Sequence, residues 1–219
     1  ERRLIDLELE PLSIKKLPFF APHFVREALN RSPGKAILRT TLDLTMQKIF
    51  ELKIQQYIES HKAKGLRNAS AVLMNWQNSH VVSWVGSADY FDQEMQGQVD
   101  GVTSARSPGS TLKPFIYALG IEEGLIHPGS ILKDTPRSFG SYYPENFDGE
   151  FKGPVSVEEA LNQSRNIPAV ELITKLKDRS FYQFLIDADV GIPKNHEYYG
   201  HSLALGGFEL SLLELVELY

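Results

Sequence analysis

Ser107-Pro108-Gly109-Ser110-Thr111-Leu112-Lys113-Pro114 is the stretch on which the reading of the chain turns. Pro108 and Gly109 mark a turn, serine is favoured just before a helix, and Pro114, lacking an amide hydrogen, is tolerated only about the first helical turn. A helix is therefore predicted to start at or next to Ser110. On it, Leu112, Phe115, Ile116 and Leu119 form the i, i+3, i+4, i+7 set that an amphipathic helix buries, while Ser110, Lys113 and Tyr117 point the other way. A lysine three residues after a serine lies one turn along the same face. That spacing has chemical meaning, because a serine hydroxyl is a poor nucleophile until a base takes its proton. Lysine can be that base once burial or neighbouring positive charge brings its pKa well below about 10. The amides and dipole of a helix start would favour an oxyanion near Ser110. A bare S-x-x-K also fits a plainer account, a capping serine and a solvated lysine.

A second element lies some fifty residues on, at Ser164-Arg165-Asn166. The helix before it is announced by Ser156 with Glu159, a capping-box spacing, and carries Val157, Ala160 and Leu161. The helix after it is predicted to begin at Pro168, a preferred first-turn residue, and carries Val170, Ile173 and Leu176. This S-x-N triplet thus sits on a short inter-helix loop, where a hydroxyl and an amide can point into a cleft. Taken alone, it also fits loop capping.

Upstream, a helical period runs from Asp43 through Met46, Ile49, Phe50, Ile54, Tyr57 and Ile58 to Gly65. Ala69–Trp76 and His80–Val85 are β-prone runs flanking Gln77-Asn78-Ser79, which is hairpin chemistry. Residues 1–39, with Pro11, Pro18, Pro22 and Pro33, read as an extended connector ending in the turn Ser32-Pro33-Gly34. Beyond Ser107 the chain reads as mostly helical, with a loop over Ser138–Gly153. The sum is an α+β fold with one hairpin. Two strands make a marginal sheet, so further strands are expected from a second chain or a continuation of this one. The chain opens without methionine and closes inside an apolar pattern, Leu212, Leu213, Leu215, Val216, Tyr219, that follows a capping box at Ser211 and Glu214. It reads as a piece of a longer protein, expected to turn over little substrate alone.

The 23 Lys and Arg against 28 Asp and Glu leave a net charge of −5 with no dense basic stretch, so nucleic acid is not an expected partner. The absence of cysteine excludes disulfides and thiolate metal sites. His196-Glu197-Tyr198-Tyr199-Gly200-His201 falls short of a zinc-protease helix, since its histidines are five apart and Gly200 disfavours the helix they need. No run reaches the length of a membrane span.

S-x-x-K and S-x-N belong to a set that, with K-T-G, marks penicillin-binding proteins and class A β-lactamases, where the triplet is written S-D-N; here Arg165 replaces the aspartate. The chain resembles the transpeptidase module of class A, bifunctional penicillin-binding proteins, most of all the 1C type. The resemblance is carried by Arg39–Leu44, Trp84–Tyr90, Arg106–Tyr117, Tyr143–Gly149, Ala160–Val170 and Leu203–Gly207, and so covers residues 40–219. Residues 1–39, with Ala21-Pro22-His23-Phe24-Val25, look like the segment that joins a glycosyltransferase module to it.

The resemblance implies a penicillin-binding protein/β-lactamase-like fold, present here as its helical part plus the first hairpin. It also implies a D,D-transpeptidase that cross-links peptidoglycan stem peptides in cell-wall synthesis, on the outer side of the cytoplasmic membrane, in a membrane-anchored parent protein. Ser110 would attack the D-Ala-D-Ala carbonyl, Lys113 would be the base, Ser164 would relay a proton to the leaving amine, and Asn166 would hold the peptide amide. β-Lactams would acylate Ser110, and no metal or organic cofactor is implied. The resemblance is incomplete in one respect, since no K-T-G or K-S-G occurs in the sequence and the family's strand of that motif would lie beyond Tyr219. Two alternatives share the motifs: a D,D-carboxypeptidase or β-lactamase-like hydrolase, and a non-catalytic scaffold that binds cell-wall peptide.

Overall fold

The computed structural model describes residues 19–176 and 180–219, so residues 1–18 of the expected connector lie outside the described residues. In chain order the helices and strands are α1 (Pro22–Arg31), α2 (Leu44–His61), β1 (Ala71–Asn75), β2 (His80–Val85), α3 (Lys113–Glu122), β3 (Ile131–Asp134), β4 (Gly153–Ser156), α4 (Val157–Asn162), α5 (Asn166–Lys175), α6 (Phe181–Asp187), α7 (His196–Tyr199) and α8 (Leu212–Leu218).

The first lobe is built around the predicted hairpin. β1 and β2 pair antiparallel from Ala71 opposite Val85 to Asn75 opposite His80, with an irregularity between Leu73 and Met74. Its turn is closed by local side chains, Asn75 Oδ1 accepting from Gln77 N and Asn78 Oδ1 from His80 N. α2 starts where Asp43 accepts from the amides of Thr45 and Met46 and ends in a short 3-10 turn before Gly65, at φ +86°. From α2, Gln47 lies buried against β2. Its Oε1 accepts from Trp84 N at 2.8 Å and Ser83 Oγ at 3.0 Å, and its Nε2 donates to Trp84 O at 2.8 Å. One amide thus satisfies strand groups that would otherwise be buried without partners.

The reading of the connector as extended fails over Pro22–Arg31, which is helical. Pro22 stands in the first turn as a helix-start residue. The helix is held by tertiary contacts: His23 is buried with Nε2 3.0 Å from Gly97 O, Arg26 donates to Gln98 O at 2.9 Å, and Phe24 meets Trp84 edge-on.

The second lobe is mostly helical, as expected, but contains a second two-stranded sheet that was not expected. β3 and β4 pair antiparallel, Ile131 opposite Ser156 to Asp134 opposite Gly153. Four residues per strand are too few to display an alternating pattern. Around them Leu112, Ile116, Ala160, Ile167, Val170, Leu185 and Leu203 are fully buried in one core. α3 and α5 approach closely at Gly120, where a Cβ would lie 2.9 Å from Leu172 Cδ2. α8 begins with the predicted capping box, the Ser211 hydroxyl and amide both donating to Glu214 and Glu214 N donating back to Ser211 Oγ.

Candidate active site

Pro108 leads into a 3-10 turn, Gly109–Leu112, that carries Ser110 and runs directly into α3. Ser110 is therefore not the helix cap that its residue type suggested. The turn is closed by Thr111, whose amide and hydroxyl both bond to Pro108 O, and no side chain caps the start of α3. The Ser110 side chain is left exposed on a cleft of about 450 Å³, where Ser164, Asn166, Phe147 and Leu205 also face it. The floor of the turn is fixed from the far end of the lobe. Ser107 Oγ donates to Gly206 O at 2.6 Å, and a Cβ on Gly206, which sits at φ +74°, would stand 2.3 Å from Gly109 N.

Lys113 occupies the first turn of α3 and is 1% exposed, so the plainer account of a solvated lysine does not hold. Its Nζ donates to Ser164 O at 2.6 Å, Asn166 Oδ1 at 2.6 Å and Ser164 Oγ at 3.1 Å. Burial, and after it the nearby Arg165 cation, bring its pKa down to about 8. The turn thus places Ser110 on the cleft, the corner between α4 and α5 brings Ser164 and Asn166 to it, and Lys113 joins them from α3 through its hydrogen bonds to Ser164 and Asn166.

The corner itself is tight. Ser156 caps α4 as predicted, and the chain then reverses through Ser164 at φ +54°. α5 starts at Asn166, two residues earlier than predicted, so Pro168 stands inside its first turn. Asn166 is held on three sides: its side-chain Nδ2 donates to Glu145 O at 2.6 Å, its amide donates to Asn146 Oδ1 at 2.8 Å, and its Oδ1 receives Lys113.

Beside this corner, with Asn146, Asp148 and Arg165 on the same cleft, lies a polar cluster that the sequence motifs do not assign. Arg165, 3% exposed, donates through Nε to Asp134 Oδ2 and through Nη1 to Asp148 Oδ2, each at 2.7 Å, and through Nη2 to Glu150 O. Asn146, also buried, donates to Asp134 Oδ1 at 2.8 Å and Glu150 O at 2.9 Å. The hydrogen bond from Arg165 is the main cause that holds the Asp148 carboxyl below its usual range. Within the stretch Tyr143–Gly149, which only the family resemblance distinguishes, Asn146 and Asp148 brace the S-x-N corner. Elsewhere, His201 packs on Phe139 and Tyr142, with ring centres 5.8 and 6.3 Å away. A larger hollow of about 670 Å³ beside the end of α2 contains none of the four site residues.

An exposed hydroxyl on a cleft, together with an amide and a second hydroxyl that bind a buried lysine, makes up a serine acyl-transfer type of site. Comparison with known proteins agrees. The family model described as penicillin binding protein transpeptidase domain matches residues 69–204. Penicillin-binding protein 1C of Escherichia coli (strain K12) is 38% identical over 211 residues, which are 95% of this chain and 27% of that protein. Penicillin-binding protein 1F of Bacillus subtilis (strain 168) is 34% identical over 141 residues, 64% of this chain and 19% of that one. The crystal structure of penicillin-binding protein 1A from Haemophilus influenzae superposes with a TM-score of 0.57 at 29% identity, over 67% of this chain and 22% of that one. The structure of PonA1 from Mycobacterium tuberculosis shares the fold, with a TM-score of 0.67 at 18% identity over 88% and 53% of the two chains. The chain belongs to the penicillin-binding transpeptidase family, in its class A branch. It spans about a quarter or less of the length of the two relatives named first.

Proposed function

We propose that this domain is a D,D-transpeptidase that cross-links peptidoglycan stem peptides through an acyl-enzyme on Ser110. Neutral Lys113 takes the Ser110 proton as Oγ attacks the carbonyl of the D-Ala-D-Ala bond. The tetrahedral intermediate collapses with cleavage of the peptide bond, and Ser164 passes a proton to the departing D-Ala nitrogen. An amine of a neighbouring stem then attacks the ester, its proton returns through the same groups, and Ser110 is released. Asn166 holds the donor's amide and keeps Lys113 in place. The observation that carries this reading is the buried Lys113, bonded to Ser164 and Asn166 and lowered to about 8, where a lysine can both accept and return a proton near neutral pH. The chemistry calls on no metal or organic cofactor.

β-Lactams are the second ligand class, since they offer Ser110 a carbonyl that stays attached after attack. Residues 40–219 form the transpeptidase module in this reading, and residues 1–39 the link to an upstream glycosyltransferase module. The parent protein is membrane-anchored and works outside the cytoplasmic membrane; among the described residues no helix is long and apolar enough to cross one. A continuation of the chain, or a second chain, adds strands beside β1, which among the described residues pairs only with β2. The test is labelling of the parent protein by a fluorescent penicillin. Wild type is expected to label and Ser110→Ala to lose the label with its melting temperature within a few degrees; equal labelling of both refutes the assignment.

A further inference from the structure

We infer that Arg165, the middle residue of the S-x-N triplet, is a positioning residue: clamped by Asp134, Asp148 and Glu150, its guanidinium fixes the Ser164 and Asn166 groups that hold Lys113. The inference rests on the proposed roles of Ser110 and Lys113 and adds a part that neither motif assigns.

Two of the three acceptors on Lys113 Nζ belong to Ser164 and the third to Asn166, so the lysine grips the residues on either side of Arg165. Those residues stand in a strained corner, because Ser164 lies at φ +54°, a region that L side chains avoid. Something must over-determine that conformation. The backbone contributes Ser164 N to Leu161 O at 3.0 Å and Arg165 N to Ala160 O at 2.8 Å. The side chain of Arg165 contributes the rest by locking into acceptors on β3 and on the 145–150 loop. A planar fork suits this task, since Nε, Nη1 and Nη2 each engage a different partner. The clamp reaches Lys113 by a second route as well. Arg165 pairs with Asp134, Asp134 receives Asn146, Asn146 receives the amide of Asn166, and Asn166 receives Lys113.

Charge follows the same geometry. The Arg165 cation stands near Lys113 and opposes its ammonium form. From β3, Asp134 is fully buried and spent on Arg165, Asn146 and the Lys152 amide. From the 145–150 loop, Asp148 is paired with Arg165, Glu145 and Glu150 enter through their carbonyls, and from α3 itself Tyr117 is held neutral by burial and by Asp134. Lys152 turns its ammonium to Glu159, 3.7 Å away. Loss of Arg165 would therefore remove the cation and leave the buried Asp134 anion without its charge partner, and both changes favour protonated Lys113.

The test uses the parent protein with Arg165→Gln, Arg165→Lys and the Ser110→Ala control. Two quantities are followed across pH: the second-order rate of acylation by fluorescent penicillin, and the titration of Lys113 by NMR of its Cε group, which does not depend on acylation. Arg165→Gln is expected to raise the midpoint of both profiles by roughly one pH unit and to slow acylation at least about tenfold. Arg165→Lys, which keeps the charge and loses the fork, is expected to restore the midpoint while leaving acylation about tenfold slow. Should Arg165→Gln fail to fold, Arg165→Lys decides alone: slow acylation at an unchanged midpoint supports the clamp, and a wild-type rate overturns it. Unchanged midpoint and rate in a folded Arg165→Gln protein overturn it outright. Labelling of Ser110→Ala at the wild-type level instead overturns the role of Ser110, and the Lys113 titration still judges Arg165.

Discussion

Replacing Asn146 with alanine removes three hydrogen bonds from the base of the cleft at once: to Asp134 Oδ1 at 2.8 Å, to Glu150 O at 2.9 Å and from Asn166 N at 2.8 Å. Their loss is unequal. Glu150 O keeps Arg165, and Asp134 keeps Arg165 and the Lys152 amide on its other oxygen, whereas the bond to Asn146 is the one that holds the Asn166 amide. A buried carboxylate oxygen and a half-buried amide are then left short of a partner, at roughly 1–3 kcal/mol for the first and less for the second, which points to a destabilisation of about 3 kcal/mol. With a urea m-value of about 2 kcal/mol/M, the unfolding midpoint of the domain would fall by roughly 1.5 M. Acylation by penicillin is expected to slow as well, because Asn166 loses the contact that fixes the start of α5. A variant that unfolds within about 0.5 kcal/mol of wild type, a size normal for an exposed site, and that acylates at the wild-type rate would show that the 145–150 loop does not brace the corner.

Acylation is expected to rise with pH through about 8, since Lys113 must be neutral to accept the serine proton, and at pH 7 only about one-tenth of the molecules carry it neutral; a rate independent of pH between 6 and 9 would contradict that role. The same lowered pKa makes stability rise with pH between about 8 and the ordinary lysine value of 10.5, because over that window the unfolded chain binds the extra proton; urea titrations of wild type and Lys113→Met across the window check the sign. Among the described residues Tyr117 Oη is buried with no hydrogen-bond partner, so Tyr117→Phe is expected to leave stability unchanged or raise it by about 1 kcal/mol, and a loss of more than about 2 kcal/mol would reveal a hidden partner. Gly206→Ala should cost about 2 kcal/mol or more and slow acylation, as its Cβ would press on Gly109 N at 2.3 Å in a backbone conformation that alanine disfavours; wild-type stability would mean the Ser110 turn is not braced there.

The positions of the four candidate residues were legible where local signals set them: Pro108 and Gly109 mark the turn that carries Ser110 into the helix of Lys113, and capping signals frame Ser164 and Asn166. What sequence periodicity could not say is which of the competing start signals would act. Pro108 and Thr111 closed the turn instead of Ser110, which freed the serine for the cleft. The burial of Lys113 was likewise a tertiary fact, set by Ser164 and Asn166 some fifty residues away. Arg165 read only as a departure from S-D-N, since its partners Asp134 and Asp148 lie 31 and 17 residues upstream and meet it through a loop whose form depends on β3 and β4. α1 escaped notice for a similar reason: its contacts, His23 to Gly97 and Phe24 to Trp84, span more of the chain than any local pattern.

The most direct test of Ser110 as the nucleophile is to map the adduct left by benzylpenicillin on the parent protein. Trypsin does not cut after Lys113 because Pro114 follows, so it releases Ser107–Lys133, a peptide that also contains Ser107, Thr111, Tyr117 and Ser130 as rival hydroxyls. Tandem mass spectrometry of that peptide is expected to place one penicilloyl group on Ser110, and to find none in Ser110→Ala. An adduct on any other residue, or one that persists in Ser110→Ala, would contradict it.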